Sequence, residues 1–175
     1  MKTLLSLIFC AFFIAGAAEL QERSFFDESV ALSVPLTLEE VSNEEISQLF
    51  SQLSQPEIVL ADKDRAVKVT LTRKHLGSKV VDQGSLDDLL PILVRNIERM
   101  SAVEIHKNKV QKVNHRQVGI VNYTQTDSLG VGTRHLTFFS DLEGQLFLGS
   151  FICPEKEFDS WKKPADTMIK SLSIK

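Results

Sequence analysis

Residues 133–153 read TRHLTFFSDLEGQLFLGSFIC, and this stretch decides the fold. It contains two strand-like runs, 133–140 and 145–153, which are joined by the short turn from Asp141 to Gly144. A link this short between two strands predicts an antiparallel hairpin. Both runs carry apolar side chains at successive positions, so neither strand keeps one face in water. Such strands are typical of a sheet centre that helices cover.

Two further strand-like runs come before this hairpin, at 103–113 and 117–126. Their connections are also short, so the four runs predict an antiparallel meander. Shorter strand patterns lie at 30–34, 57–60 and 66–73, and the last of these alternates apolar and polar residues with a period of two. We therefore expect an antiparallel sheet of six to seven strands.

Three helical patterns flank the strands. The first begins at Ser42, where Ser42 and Glu45 have the spacing of a capping box. The second is an apolar stripe over 86–100, with Pro91 either inside the helix or at its first position. The third closes the chain, and Pro164 within it predicts two helical pieces. Strands flanked by helices without a repeating βαβ unit predict an α+β fold, arranged as an α/β/α sandwich.

The first 18 residues have the parts of a secretory signal. Lys2 gives a positive start, an uncharged and mostly apolar run extends to Ala18, and Ala17 and Ala18 are small residues that suit cleavage. A membrane anchor is the alternative, but the run stops at Glu19, short of the ~20 apolar residues of a spanning helix. A lipid anchor at Cys10 would need a small residue before it, and that residue is large. We predict export to the periplasm or out of the cell.

Beyond the signal, residues 19–29 are interpreted as a flexible start and residues 30–175 as a single domain, because no repeat or linker divides them. The net charge of −3 becomes −4 once Lys2 is removed with the signal. This mild acidity argues against nucleic acid as the main partner. Lysines within 107–112 and at 162–163 lie close to acidic residues in the sequence, so we interpret them as solvated faces.

No catalytic, metal or cofactor motif is visible in the sequence. It has no G-x-S-x-G elbow, and its four histidines lack the spacing of metal ligands. Cys153 is the cysteine that remains after the signal is removed, and its apolar strand predicts a buried and unreactive thiol. The alternatives are an intermolecular disulfide and a reactive thiol. We therefore expect a protein that is not an enzyme and uses no cofactor, with a cryptic hydrolase as the alternative.

Two polar residues of the stretch that decides the fold are candidates for contact with a partner. They are Arg134 and His135, which are adjacent in one predicted strand. If both converged with Asp141 in one cleft, the arrangement would favour a hydrolase over a simple binding protein.

Three aromatic residues are further candidates for contact with a partner. Phe25 and Phe26 form an apolar pair in the segment interpreted as flexible, and the alternative is that they dock on the domain itself. Trp161 shares an apolar stripe with Phe158 and Met168, so it is either an anchor for a partner or part of the core.

Four stretches resemble the DcrB-like members of the PsbP-like fold family. They read ALSVPLTLEE from Ala31, ADKDRAVKVTL from Ala61, SLDDLLPILVRNIERM from Ser85, and FICPEKEFDSWKKPADTMIKSLSI from Phe151. The resemblance implies a central antiparallel sheet between helical layers. It also implies an accessory or binding role, because proteins of this fold serve as extrinsic subunits, GTPase-binding factors and secretion-effector chaperones. It supplies no catalytic residue, so function has to be argued from the site.

The signal and the resemblance together predict an exported, non-catalytic accessory protein of the cell envelope. Its expected partner is an envelope protein or a peptide. A chaperone-like adaptor for a secretion or uptake system is an alternative within the same class. The chain departs from DcrB-like lipoproteins because it lacks a lipobox, so the resemblance is not extended to a lipid anchor.

Overall fold

The computed structural model describes residues 18–50, 55–77 and 80–175. Within these ranges it has ten strands, three α-helices and one 3-10 turn. The strands are β1 (Leu20–Phe25), β2 (Val30–Pro35), β3 (Glu39–Glu40), β4 (Ile58–Ala61), β5 (Lys68–Lys74), β6 (Val103–Val113), β7 (Arg116–Thr126), β8 (Gly132–Leu142), β9 (Gln145–Pro154) and β10 (Ser173–Ile174). The helices are α1 (Asn43–Leu49), α2 (Leu86–Glu98) and α3 (Phe158–Ser171), and the 3-10 turn Glu155–Glu157 directly precedes α3.

Seven strands form one antiparallel sheet in the order β3, β4, β5, β9, β8, β7, β6. The predicted meander is confirmed, because β6, β7 and β8 each pair with the next strand along the chain, which ends the meander at β9. The sheet continues from β9 to β5, which also pair in antiparallel fashion. The apolar strands β8 and β9 therefore lie inside the sheet, while β6 and β3 form its edges. The predicted α+β class and strand number are confirmed.

Two tight turns of the meander use left-handed backbone conformations. Asn114 and His115 join β6 to β7 with φ angles of 44° and 72°, and Glu143 and Gly144 join β8 to β9 with φ angles of 51° and 78°. Two successive residues with positive φ are typical of type I′ turns, whose twist matches that of the strands they connect. These turns fix the register of both hairpins.

A second antiparallel sheet has three strands, in the order β1, β2, β10. The sequence predicted a flexible segment over 19–29, and this prediction is wrong for β1, which pairs with β2 along its whole length. The physical reason is the burial of Phe25, which is 8% exposed and belongs to the main hydrophobic core. Its burial holds the strand against the rest of the protein.

The large sheet is covered on both faces, as the sandwich prediction required. One face packs against α3 and the small sheet, in a core that includes Phe138, Phe147 and Phe151. The opposite face packs against α2, with Phe139 at the centre of the contact. Helix α1 covers the outer end of that second face through Ile46, which packs against residues of β4.

On each face of the sheet, one phenylalanine ring lies over a glycine of a neighbouring strand. Gly119 of β7 pairs with Phe139 of β8, and Gly149 of β9 pairs with Phe138 of β8. A Cβ atom built at either glycine would overlap the ring opposite it. The missing side chains therefore create the space that the two rings occupy.

Both long helices contain a proline. Helix α2 begins at Leu86, so Pro91 lies inside it. Helix α3 runs unbroken with Pro164 inside it, and the prediction that Pro164 divides this helix into two pieces is wrong. A proline removes one backbone hydrogen bond, and the buried residues Pro164, Ala165 and Met168 hold α3 together by packing on the core.

In the described ranges, no helix is both long enough and apolar enough to cross a membrane.

The first two helices differ in how they begin. The hydroxyl of Ser42 accepts a hydrogen bond from the Glu45 N–H at 3.3 Å, which confirms one of the two bonds of the predicted capping box. The carboxylate of Glu45 binds the Arg65 guanidinium instead of the backbone, with contacts of 2.6 and 2.9 Å. Ser85, at the start of α2, makes no side-chain cap bond because its hydroxyl bonds to the Asp82 backbone.

Candidate functional site

A cleft lies between α3 and the strands β6, β7 and β8, and we call it the α3 cleft. Its cavity volume is about 450 Å³. The floor is apolar: Ile120 and Leu136 come from the sheet, and Phe158 and Ile169 come from α3. Each of these four residues is less than one-tenth exposed, so the floor is continuous with the core. This volume is within the ~300–1,000 Å³ that is typical of ligand sites.

Four lysines stand around the α3 cleft. Lys107 and Lys109 come from β6, where a spacing of two places them on the same face. Lys162 and Lys170 come from α3, and Asp166 lies midway between them, because a spacing of four keeps helical residues on one side. Among the described residues, none of these four lysines forms an ion pair. The entrance to the cleft therefore carries four lysines without an ion pair and one carboxylate, Asp166.

A hydrogen-bond network forms the end of the cleft nearest the 3-10 turn. Arg134 Nη1 donates to Glu155 Oε1 at 3.0 Å and to Thr124 Oγ1 at 3.2 Å. The Thr124 hydroxyl donates to Glu155 Oε2 at 2.8 Å. The Arg134 guanidinium also lies over the ring of Phe158, 4.3 Å from its centroid. These contacts fix the Arg134 side chain, which is only 12% exposed.

His106 extends this network and gives it some likeness to a catalytic triad. Its Nε2 lies 2.8 Å from Thr124 Oγ1, and its Nδ1 lies 3.6 Å from Glu104 Oε1. A nucleophilic hydroxyl has to give its proton to the histidine. The Thr124 hydroxyl instead donates to Glu155 and accepts from Arg134. This geometry supports a structural role for the network.

Two buried polar atoms of residues that line the cleft lack a hydrogen-bond partner within the described part of the chain. They are Asn122 Oδ1 and Arg134 Nε. One is an acceptor and the other a donor, and both belong to residues of the sheet. An unpaired buried polar group costs about 1–3 kcal/mol, so a ligand that pairs both would gain from it.

The structure separates the polar residues whose convergence would have favoured a hydrolase. Arg134 faces the α3 cleft, whereas His135, the next residue in the strand, faces the opposite side of the sheet and stacks on Tyr123 at 4.6 Å between ring centroids. Burial and, to a smaller extent, the charge of Lys68 lower the pKa of His135 to about 4. Asp141 lies at the far end of β8, where its carboxylate binds Arg116 at 3.0 Å and also Gln83. The three residues therefore do not share a site.

The aromatic candidates make contacts within the protein itself. Phe25 is buried in the core, so the suggestion that it contacts a partner is wrong. Phe26 packs edge-on against Phe147 at 6.0 Å, and the Arg73 guanidinium lies 4.5 Å from its ring centroid. Trp161 is half-buried on α3 and packs against Phe151 with 5.7 Å between ring centroids. Trp161 precedes Lys162, which lines the α3 cleft, but Trp161 itself does not line it.

Cys153 is buried on the α3 side of β9, as its apolar strand predicted. Burial raises the pKa of its thiol to about 12, and the neighbouring carboxylates of Glu155 and Glu157 act in the same direction. The thiol is therefore protonated at neutral pH and is a poor nucleophile. Among the described residues, no three His, Cys, Asp or Glu side chains are placed to hold a metal ion.

The predicted signal cleavage residues are only partly within the structure. Ala17 lies outside the described residues, and Ala18 is the first residue described. Cleavage after either residue stays a prediction. Nothing in the described residues tests where the signal is cleaved.

Sequence reasoning missed the lysines that form the α3 cleft. It interpreted the lysines of 107–112 and 162–163 as solvated faces because acidic residues are close to them in the sequence. The structure brings Lys107 and Lys109 opposite Lys162, which is more than 50 positions away along the chain. The useful signals were the spacing of two in β6 and the spacing of four in α3, which place each pair on one side of its element.

Comparison with known proteins identifies the fold. No protein-family model and no curated protein matches the sequence. Among solved structures, the chain is similar to cyanobacterial PsbP (CyanoP) from Synechocystis sp. PCC 6803, with a TM-score of 0.61 and 15% identity over 91% of this chain and 95% of that chain. It is also similar to LpqN of Mycobacterium tuberculosis, a protein involved in cell envelope biogenesis, with a TM-score of 0.57 and 8% identity over 89% and 90% of the two chains.

A third similar structure is PA94 of Pseudomonas aeruginosa, a protein of unknown function. The TM-score is 0.53 and the identity 9%, over 89% of this chain and 97% of that chain. Identities this low show the fold alone. The α+β architecture and these likenesses together define a protein with the PsbP-like fold, which confirms the fold-family resemblance found in the sequence.

Proposed function

We propose that this chain is an exported accessory protein of the cell envelope that binds a protein or peptide partner in the α3 cleft without chemical turnover. The observation that carries the proposal is the α3 cleft itself. It combines an apolar floor with free lysines at the rim and a fixed arginine in the wall. A concave apolar surface with a few convergent polar groups is the usual form of a binding site.

The hydrogen bonds in the cleft wall support the absence of turnover. The Thr124 hydroxyl, which lies 2.8 Å from His106 Nε2, donates its proton to Glu155. The one cysteine described, Cys153, is buried and has a raised pKa. Neither side chain is therefore an activated nucleophile.

The proposed location rests on the N-terminal sequence and on the structural neighbours. The run from Lys2 to Ala18 has the features of a cleavable signal. LpqN, which shares the fold, is involved in cell envelope biogenesis. Mass spectrometry of the protein recovered from its own cells tests this, and a chain that still begins with Met1 would contradict it.

Site-specific photo-crosslinking tests the binding role. A photoreactive amino acid is placed at Lys162, in the α3 cleft, and in a matched variant at Lys63, which is exposed and remote from the cleft. Both variants are expressed in the cells that naturally produce the protein. We expect a discrete crosslinked product from position 162 and none from position 63.

Two outcomes would contradict the proposal. The first is an equal crosslinking pattern from both positions, which would show that the cleft selects no partner. The second is saturable turnover of an ester or peptide substrate by the purified protein that Thr124→Val or His106→Gln abolishes. The second outcome would establish the hydrolase alternative.

A further inference from the structure

We propose that the α3 cleft recognises an acidic, extended protein segment, in which carboxylates pair with the lysines of the rim and one apolar side chain covers the floor. This inference rests on the proposed function, since it names the chemistry of the partner that the cleft would bind. It concerns a peptide ligand and not a lipid surface or a free phosphate.

The lysines of the cleft determine the sign of the charge that the ligand must carry. Lys107 and Lys109 on one side of the cleft face Lys162 and Lys170 on the other, and Asp166 is the only carboxylate among the lining residues. The whole chain carries a net charge of −3, so this concentration of cations is local. Focused positive charge in a concave site attracts anionic groups and orients them as they approach.

The apolar floor argues for a peptide over a simple anion. Ile120, Leu136, Phe158 and Ile169 form a surface that a phosphate ion could not cover. A side chain such as leucine would bury apolar area there, at about 25 cal/mol per Å². A ligand that has carboxylates on both sides of one apolar side chain therefore matches the floor and the rim together.

The unpaired atoms of the cleft residues also favour a peptide as the ligand. Asn122 Oδ1 can only accept a hydrogen bond, and Arg134 Nε can only donate one. A peptide backbone offers both an N–H donor and a C=O acceptor, which are the two kinds of group that these atoms lack. A carboxylate ion offers acceptors alone and would leave the Asn122 oxygen unpaired.

The shape of the surface argues against a membrane as the ligand. The lysines stand around a cleft about 450 Å³ in volume, and a flat lipid surface could not reach its floor. A peripheral membrane site instead needs basic residues on a continuous exposed surface. The cleft geometry therefore favours an extended chain that lies along α3.

Fluorescence anisotropy with a defined peptide tests the inference. The probe is a labelled synthetic peptide in which two glutamates precede and two follow one leucine, and the protein is the full mature chain. We expect saturable binding that weakens as salt is raised, because exposed charge pairs are screened. Matched peptides replace all the glutamates by glutamine, or the leucine by serine, and each should bind at least tenfold more weakly.

Protein variants locate the binding. Lys162→Gln with Lys170→Gln should weaken binding of the acidic peptide at least tenfold, while Lys63→Gln with Lys74→Gln, which removes two exposed lysines far from the cleft, should leave it unchanged. Circular dichroism shows whether the variants remain folded.

The alternative ligands give distinct results. Equal binding of the glutamine peptide would overturn the acidic specificity. Displacement of the peptide by millimolar inorganic phosphate, or tighter binding to vesicles of anionic phospholipid, would overturn the peptide assignment. If the acidic peptide fails to bind while position 162 still crosslinks to a partner in cells, the inference is wrong and the proposed function stands. If neither experiment shows binding, both are wrong.

Discussion

Amphipathic helices cover both faces of the large sheet, but the space left between helix and sheet differs between the two faces. On the α2 face the helix packs on apolar residues and leaves a smaller apolar cavity of about 110 Å³ near Leu89 and Phe139. On the α3 face the helix leaves a cleft of about 450 Å³ with a charged rim. The sheet causes part of this difference, because β6 alternates between Lys109, which faces α3, and Val110, which packs towards α2. One strand thus contributes to the contact with α2 on one face and to the α3 cleft on the other.

The largest effect should come from filling the space beneath the two phenylalanine rings. We expect Gly119→Ala on the α2 face and Gly149→Ala on the α3 face each to destabilise the protein by about 3 kcal/mol, because the new Cβ atom displaces a buried ring. Urea unfolding followed by circular dichroism measures this. Gly84→Ala is the control, since its Cβ would meet only Asp82 Oδ1 at 3.5 Å. If one ring glycine tolerates alanine, that face is less tightly packed than the structure indicates.

The next effect concerns Trp161, which lies at the border between the core and the α3 cleft. We expect Trp161→Ala to cost about 2 kcal/mol, less than the ~3–5 kcal/mol of a fully buried aromatic residue, because its ring is half-buried against Phe151. Trp161→Phe keeps a ring in this position and should cost less than half as much. Unchanged stability combined with loss of acidic peptide binding would instead identify Trp161 as a partner anchor.

A smaller effect should appear on the α2 side as the pH falls. His135 has a pKa of about 4 in the folded protein and about 6.5 when unfolded, so the unfolded chain takes up this proton first. Its contribution to stability is complete above pH 6.5 and is lost progressively towards pH 4. Allowing for partial exposure, we expect a loss of about 1 to 2 kcal/mol over this window.

Comparison with His135→Phe isolates this contribution, because phenylalanine can keep the stacking on Tyr123 and does not titrate. Urea unfolding is measured for both proteins at pH 7.5 and pH 4.5. The difference in stability between the two pH values should be smaller for the variant. An identical pH dependence in the two proteins would show that His135 titrates normally.

The smallest effect on stability should come from the lysines of the α3 cleft. Lys162→Gln and Lys170→Gln should each change the free energy of unfolding by less than about 0.5 kcal/mol, because both side chains are exposed and neither forms an ion pair in the described structure. Loss of peptide binding without loss of stability would establish that the lysines of the α3 cleft serve binding. A destabilisation above about 1 kcal/mol would show that these lysines hold α3 in place.

The elements that could be predicted from sequence are those whose signals are local. The hairpin of β8 and β9 follows from two apolar runs and the Asp141 to Gly144 turn, and the capping of α1 by Ser42 follows from four residues. The continuity of α3 could not be predicted, because the cost of Pro164 is local while the packing that offsets it comes from the distant core.

The small sheet and the α3 cleft were missed because they depend on contacts between distant parts of the chain. Strand β1 reads as a polar segment, LQERSF, and it becomes a strand because β2 pairs with it and the core buries Phe25. The cleft is the same kind of feature. Arg134 was named as a candidate from its strand alone, but only the docking of α3 brings Lys162 and Lys170 to the same site.

The pairing of β10 with β2 has a consequence for the order in which the protein folds. The Ser33 N–H donates to Ser171 Oγ at 2.8 Å across 138 positions of the chain, and β10 pairs with β2 just beyond it. Contacts this distant carry a large loop-closure entropy, so we expect them to form after the hairpins of the meander. Helix α3 lies between the meander and β10 in the chain, and its docking against β2 belongs to this late step. The α3 cleft would then reach its final form only in this late step, so the proposed binding would depend on completed folding.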